Sequence, residues 1–209
     1  MIVRETMSID PMRRVNKIRT NDPQGLRGRV LDAAASAFQA GGYTATSIHD
    51  IVRRAGVTGG ALHHHFPSKK DLALAVIAER VADEIDQTWI RQVREAPSLA
   101  EGVLQVFEDV ADALEARGAV TGCPLNNLAV ELSLADPDLR VALARQYSLW
   151  REAIAERLRD ERADFAPDPA AFANVVVAMF SGAMAISKAE QRPAALRDCA
   201  DALRRLIRV

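Results

Sequence analysis

Cysteine is scarce in this chain: Cys123 and Cys199 are the only two. Two cysteines cannot build a disulfide framework or a four-ligand zinc site. Aromatic residues are 5% of the 209, and no alternating apolar and polar run reads as a strand. Both facts argue against a sheet-based fold. Long apolar runs are also missing. The longest, Val175 to Ile186, has 12 residues and contains Ser181 and Gly182. A bilayer span takes about 20 apolar residues, so a buried helix is expected there. The N-terminus is polar and basic without an apolar core, which gives no secretion signal and an expected cytoplasmic location. All four histidines fall at 49 and 63–65, so none is left to pair with a cysteine elsewhere. There is no nucleophile elbow and no phosphate-binding loop. Neither an enzyme nor a cofactor protein is expected.

What is present favours helices. Hydrophobic residues make up 49% and charged residues 26%. That is enough apolar material for a packed core, and it is rich in alanine and leucine. The net charge of −1 hides an asymmetry. Residues 1–70 hold 11 Lys and Arg against 5 Asp and Glu, whereas residues 71–209 hold 16 against 23. A basic end on an acidic body suits a polyanionic partner or is a chance surface imbalance. Residues 1–24 read as a loose basic arm with Arg4, Arg13, Arg14, Lys17 and Arg19. Such an arm tracks DNA or is a solvated tail, and Met7 and Met12 are alternative starts.

Periodicity and caps predict about nine helices and an all-α fold. Helix one covers 26–40, with Val30, Leu31, Ala34, Ala37 and Phe38 on one face and Gly41-Gly42 as its stop. Ser47 caps helix two, with Asp50 in the capping-box position. Ile48, Ile51, Val52 and Ala55 form its apolar face, and Gly56 ends it. Helix three opens at Val57-Thr58, and Pro67 breaks it. Ser68 caps helix four, which runs to about Arg94 with Leu72, Ala75, Val76, Ala82, Ile85 and Trp89 as its stripe. Ser98 caps helix five, to about Arg117. Pro124 sits in the first turn of helix six. Asp136-Pro137 starts helix seven, to about Arg162. Helix eight covers about 170–189 and helix nine about 193–208.

Two short helices joined through Ala55-Gly56-Val57 make a helix-turn-helix over about 47–66. The second helix exposes one face and its N-terminus, the shape that enters a major groove. The stretch Thr46-Ser47-Ile48-His49-Asp50-Ile51-Val52, with Ala55-Gly56-Val57-Thr58, Gly60-Ala61-Leu62 and His65-Phe66-Pro67-Ser68-Lys69, resembles the tetracycline-repressor (TetR) family. Ala33-Ala34, Phe38 and Gly41 to Thr46 extend the match over roughly residues 25–75. The resemblance implies a DNA-binding domain over 25–84 and a C-terminal ligand-binding and dimerisation domain over 85–209. It implies that Thr46 and Ser47 contact DNA backbone, that Thr58, Gly59, Gly60, Ala61, His63 and His64 lie on or near the groove, and that Lys69 touches phosphate. Tyr43 would brace the turn. Gly59 replaces the family's usual Lys, and His63 its usual Tyr. The His63-His64-His65 run suggests metal, but consecutive helical residues point about 100° apart and do not converge on one ion.

In the larger domain, Gly122-Cys123-Pro124 to Glu131 resembles the LmrA/YxaF-like branch of the family. Asn127 and Glu131 stand four apart, on one helical face. They line a ligand pocket, satisfy buried backbone groups or cap a neighbouring loop. Trp89, Phe107, Cys123, Trp150, Met179 and Met184 are further pocket candidates. Helix eight looks apolar on nearly every side, hence buried, with Gly182 allowing close approach. Helices eight and nine would pair with their copies in a homodimer, as the family does. The expected function is a repressor that binds a palindromic operator as a dimer and is released by a small hydrophobic effector. A redox-responsive regulator using Cys123, a metal-responsive one using the histidine run, and a helical small-molecule-binding protein without DNA activity are the alternatives.

Overall fold

The structure is a computed structural model, and it describes residues 23–161 and 168–207. Residues 1–22 of the expected basic arm lie outside the described residues, and its last two, Pro23 and Gln24, already belong to α1. Among those described there is no strand, and nine helices follow one another. They are α1 (Pro23–Gly41), α2 (Ile48–Ala55), α3 (Gly59–His65), α4 (69–95), α5 (Leu99–Arg117), α6 (Pro124–Leu132), α7 (Pro137–Asp160), α8 (Pro169–Glu190) and α9 (Ala194–Ile207).

The caps decide where these helices begin. The side chains of Ser47, Thr58, Ser68, Ser98 and Asp168 each accept a backbone N–H three residues on. Each satisfies a donor that the first helical turn leaves free. Asp136 does the same for Asp138 and Leu139 at the start of α7. Gly56 ends α2 at φ +64, in the left-handed region that a side chain strains. Its N–H closes on the carbonyls of Val52 and Arg53, which turns the chain sharply into α3.

Helix α4 is continuous and joins the two halves of the molecule. It contains two wider turns, Ile77–Val81 and Asp86–Ile90. There the N–H groups of Ala82 and Arg91 bond five residues back, to Ile77 and Asp86. The boundary expected after residue 84 therefore falls inside one helix. Two ion pairs fasten α1 to this helix: Arg27 with Glu79, and Arg80 with Asp32 at 2.7 Å.

One apolar core runs through both halves. Val30, Leu31, Phe38, Ile51, Leu62, Phe66 and Leu72 fill the N-terminal part, and Val103, Phe107, Leu125, Leu143, Ile154, Val176 and Leu196 the body. Helix α7 packs on α8, α8 on α9, and α9 on α5. Arg197 with Asp112 and Glu115, and Arg204 with Glu108, tie α9 to α5 along their rims.

One expectation needs correction. Helix α8 is not buried all round. Ala173, Val176, Val177, Phe180, Ala183 and Met184 are buried, but Val175 is 48% and Ile186 51% exposed. Ala171, Ala178, Gly182, Ala185 and Ala189 are exposed on the same helix. The 12-residue apolar run also understated the helix. By length and composition, Pro169–Glu190 is long and apolar enough to cross a membrane. Alanine contributes to both effects, because it is apolar yet small and so weakens the contrast between an inner and an outer face.

Candidate nucleic-acid interface and interior cavity

The N-terminal helices present a short, side-chain-poor edge. Leu62 and Phe66 point into the core and are at most 3% exposed. Burying them fixes the orientation of α3, so Thr58, Gly59, Gly60, His63 and His64 face solvent, with Ala61 half-buried among them. The Thr58 hydroxyl accepts from the N–H of Ala61 at 3.2 Å. A Cβ at Gly59 or Gly60 would meet nothing within 4 Å, so the backbone itself forms part of this surface. Ser47 is exposed at the head of α2 and shares hydrogen bonds with Asp50, whose carboxyl is thereby held below the usual carboxylate range. Arg54, at the exposed end of α2, adds a cation that the sequence reading did not single out.

Two residues expected to touch DNA are engaged elsewhere. Thr46 is 7% exposed, and its hydroxyl donates to the Gly42 carbonyl at 2.7 Å and that of Ala37 at 3.3 Å. It locks the α1–α2 turn from inside and is not offered to a phosphate. Lys69 lies with its Nζ 4.2 Å from the centre of the Tyr43 ring and donates to the Thr44 carbonyl at 3.4 Å. Burial lowers its pKa, with the Glu131 carboxylate opposing. Tyr43 packs on Phe38, with ring centroids 5.3 Å apart. Of the three consecutive histidines, His63 and His64 are exposed and His65 is half-buried beside Phe66. Among the described residues, no three His, Cys, Asp or Glu side chains could hold a metal ion together.

The body contains a cavity of about 190 Å³ between α4, α5, α8 and the loop before α6. Its wall includes Trp89, Cys123, Phe180 and Met184, together with Ile85, Val110 and Leu114. Polar groups converge on the same space: Gln39, Glu84, Thr88, Arg117 and Thr121. The sequence reading missed all five. Glu84 and Arg117 look like ordinary members of a solvated helix face, and Gln39 belongs to the DNA-reading half. Crowding by protein at the cavity mouth raises the Glu84 carboxyl, and Arg117 opposes that rise.

The remaining pocket candidates are distributed differently. Phe107 and Trp150 stand behind Trp89 in a four-ring cluster, with Trp89–Trp150 and Trp89–Phe180 centroids both 4.9 Å apart. The cluster is core that stiffens the cavity wall, and only Trp89 and Phe180 reach the surface of the cavity. The indole N–H of Trp89 meets no acceptor within the described protein. Met179 packs half-buried on the core and does not line the cavity. Asn127 donates to the Thr121 carbonyl at 2.9 Å and accepts from Lys188 at 3.2 Å, which braces the loop, and it lines a small adjoining pocket with Gln39, Glu84 and Pro124, not the main cavity. Glu131 leaves the cavity altogether and accepts from the N–H groups of Tyr43 and Thr44. For Glu131 the loop-capping alternative is the one the geometry supports. Cys123 is 4% exposed, and burial pushes its thiol up to about 11, partly offset by backbone N–H groups. A thiol so placed stays protonated near neutral pH, which disfavours a redox-sensing role.

A helix-turn-helix carried on an all-helical body is the architecture of a DNA-binding transcriptional regulator. Residues 30–76 match the family model described as bacterial regulatory proteins of the tetR family, and residues 100–202 that of the LmrA/YxaF-like transcriptional regulator C-terminal domain. The chain is 31% identical over 134 residues to the HTH-type transcriptional regulator LmrA of Bacillus subtilis, covering 64% of this chain and 71% of LmrA. It is 32% identical over 173 residues to the A-factor receptor protein of Streptomyces griseus, covering 80% of this chain and 57% of the receptor. Among solved structures, a TetR transcriptional regulator from Chloroflexus aurantiacus superposes with a TM-score of 0.77 at 26% identity, covering 88% and 95% of the two chains. The chain belongs to the TetR family of transcriptional regulators, with a C-terminal domain of the LmrA/YxaF-like type. It is a DNA-binding regulator of ligand-responsive type, not an enzyme.

Proposed function

We propose that this chain is a homodimeric repressor that binds a palindromic operator and releases it when a small hydrophobic molecule occupies the α4–α5–α8 cavity. One observation carries the reading. Gln39, on α1 of the DNA-reading half, lines the cavity and donates to the Gly122 carbonyl at 2.7 Å and the Thr121 hydroxyl at 3.1 Å. Thr121 and Gly122 line the same cavity. A molecule that displaces this loop also displaces α1, so binding and helix spacing are coupled.

In this reading residues 25–84 form the DNA-binding domain and residues 85–209 the sensing and dimerising one, with α4 shared between them. Ser47, Thr58, Gly59, Gly60, Ala61, His63 and His64 face the duplex. The effector has an apolar body that lies against Trp89, Phe180 and Met184 and at least one polar group for the Glu84–Arg117 side. The name of the A-factor receptor protein says that this relative receives a factor, which supports a receptor role for this architecture. The exposed faces of α8 and α9, with Val175, Gly182, Ile186 and Leu206, support a two-chain, four-helix interface. The operator places the protein in the cytoplasm, with the DNA.

The test is a gel shift of the full chain on DNA from upstream of its own coding region, followed by a panel of apolar compounds added to the complex. A compound that raises the melting temperature of the free protein is expected to release the duplex. Compounds that stabilise the protein and leave the complex intact would overturn the effector reading.

A further inference from the structure

Among the contacts between the C-terminal body and the DNA-reading half, one is a two-point grip by a carboxylate on the last turn of α6. Glu131 Oε2 accepts the N–H of Tyr43 at 2.8 Å, and Oε1 accepts the N–H of Thr44 at 2.6 Å. Two oxygens on two consecutive backbone N–H groups fix direction as well as distance, and a charged acceptor makes both bonds strong. Burial disfavours the charged carboxylate, but the bonds from Thr44 and Tyr43 and the nearby Lys69 outweigh it, so the Glu131 pKa is lowered.

The surroundings are shaped around this grip. Gly42 has φ +82, and a Cβ there would stand 3.1 Å from Glu131 Oε2. The residue before the gripped pair therefore needs both the backbone freedom and the small volume of glycine. On the other side, Lys69 holds the Thr44 carbonyl. One peptide segment is thus held by its N–H groups from α6 and by its carbonyl from α4. The α6–α7 turn adds a rim contact, in which Lys70 pairs with Asp136 at 2.9 Å and Asp138 at 2.6 Å. The gripped turn leads directly into Ser47 and α2, and through Gly56 into α3.

We propose that Glu131 is a positioning residue for DNA recognition: its two-point grip on the Tyr43–Thr44 backbone sets the pose of the α2–α3 unit against the dimerising body. It touches no DNA. The inference rests on the dimeric operator-binding reading above. In such a dimer the two recognition helices must stand about 34–36 Å apart to meet successive major grooves. A loosened turn lets each unit tilt, and two tilts displace both helices. Binding that needs both units together then suffers, while contact of one unit with any phosphate backbone does not. Glutamine cannot replace the carboxylate, because one of its two ends is an NH₂ that would face an N–H donor. Aspartate keeps two oxygens but draws them back by one methylene.

The experiment compares wild type, Glu131→Gln and Glu131→Asp as full chains. Three quantities are read: amide exchange at Tyr43 and Thr44, affinity for the upstream duplex, and affinity for a random duplex of equal length. The Gln variant is expected to exchange faster at both amides and to lose about tenfold in affinity for the upstream duplex, a typical coupling magnitude. Its random-duplex affinity should stay within about twofold, since phosphate contacts are untouched. Unchanged exchange, or equal losses on the two duplexes, would overturn the inference. If the Gln variant fails to fold, the Asp variant carries the same comparison. A wild type that does not prefer the upstream duplex sinks the dimeric reading itself. A wild type that prefers it, beside a Gln variant that prefers it equally, sinks this inference alone.

Discussion

The DNA-reading helices and the C-terminal body solve opposite problems with the same helical material. The first is small and defined by caps, a glycine turn and a few large buried side chains such as Phe38, Ile51 and Leu62. Its outward face is nearly bare, with Gly59 and Gly60 exposing backbone. The body is larger, and four of its aromatic rings form one cluster, two of which, Trp89 and Phe180, line the cavity. Polar groups such as Glu84, Thr88 and Arg117 rim the mouth of that cavity. The difference is that a surface meant for one constant polyanion can be written in short-range signals. The cavity is assembled from residues distant in sequence, from Gln39 on α1 to Met184 on α8.

Four changes break or sharpen this contrast, from the largest expected effect to the smallest. Ala61→Glu puts a negative charge on the exposed side of α3. Operator binding should fall by roughly two orders of magnitude or more through repulsion from phosphate and loss of fit. Thermal stability should barely change, because the site is only half-buried. An equal loss of stability would mean that the residue belongs to the core. Trp89→Ala should do the reverse. Removing a side chain that is 1% exposed and joins three other rings should cost about 3–5 kcal/mol in urea unfolding. Any effect on DNA would then follow from instability alone. Gly59→Lys should gain affinity severalfold and steepen the salt dependence by about one unit of slope, since it restores a phosphate contact in open space. Its stability should change little, because the site is the first residue of α3, where the helix dipole opposes a lysine.

The smallest effect concerns pH. The Glu131 pKa is lowered in the folded protein, from an ordinary value of 4.5. The grip therefore contributes its full stability above that value and loses it as pH falls through the lowered one. Protection of the Tyr43 and Thr44 amides should persist at pH 5 and fade only at more acidic pH, with no such step in Glu131→Gln. A step above pH 5 would contradict the geometry.

Much of the fold was legible because its punctuation is local. Ser47, Thr58, Ser68 and Ser98 cap helices in the way hydroxyls at such positions do, and Gly56 stops α2 within one residue of the expected place. Trp89, Cys123 and Met184 were readable as cavity candidates, since apolar helix faces must pack somewhere. Phe107 and Trp150 differ from Trp89 only by a layer of packing, which periodicity does not resolve. Thr46 and Lys69 look like phosphate contacts in a linear reading, but in space they face the carbonyls of their own turn. Glu131 was recognisable as an unusual polar residue. Its partners, 88 and 87 positions away, were not. The exposed face of α8 escaped notice because alanine and glycine read alike whether they meet solvent, core or a second chain.

The central claim is that residues 46–66 bind DNA specifically and as a pair. The most direct measurement is the affinity of the full chain for its upstream duplex against a random duplex, across a salt series. The account predicts a preference of at least about a thousandfold at physiological salt, and an affinity that falls steeply and log-linearly with salt. Equal affinity for both duplexes, or binding insensitive to salt, would contradict it.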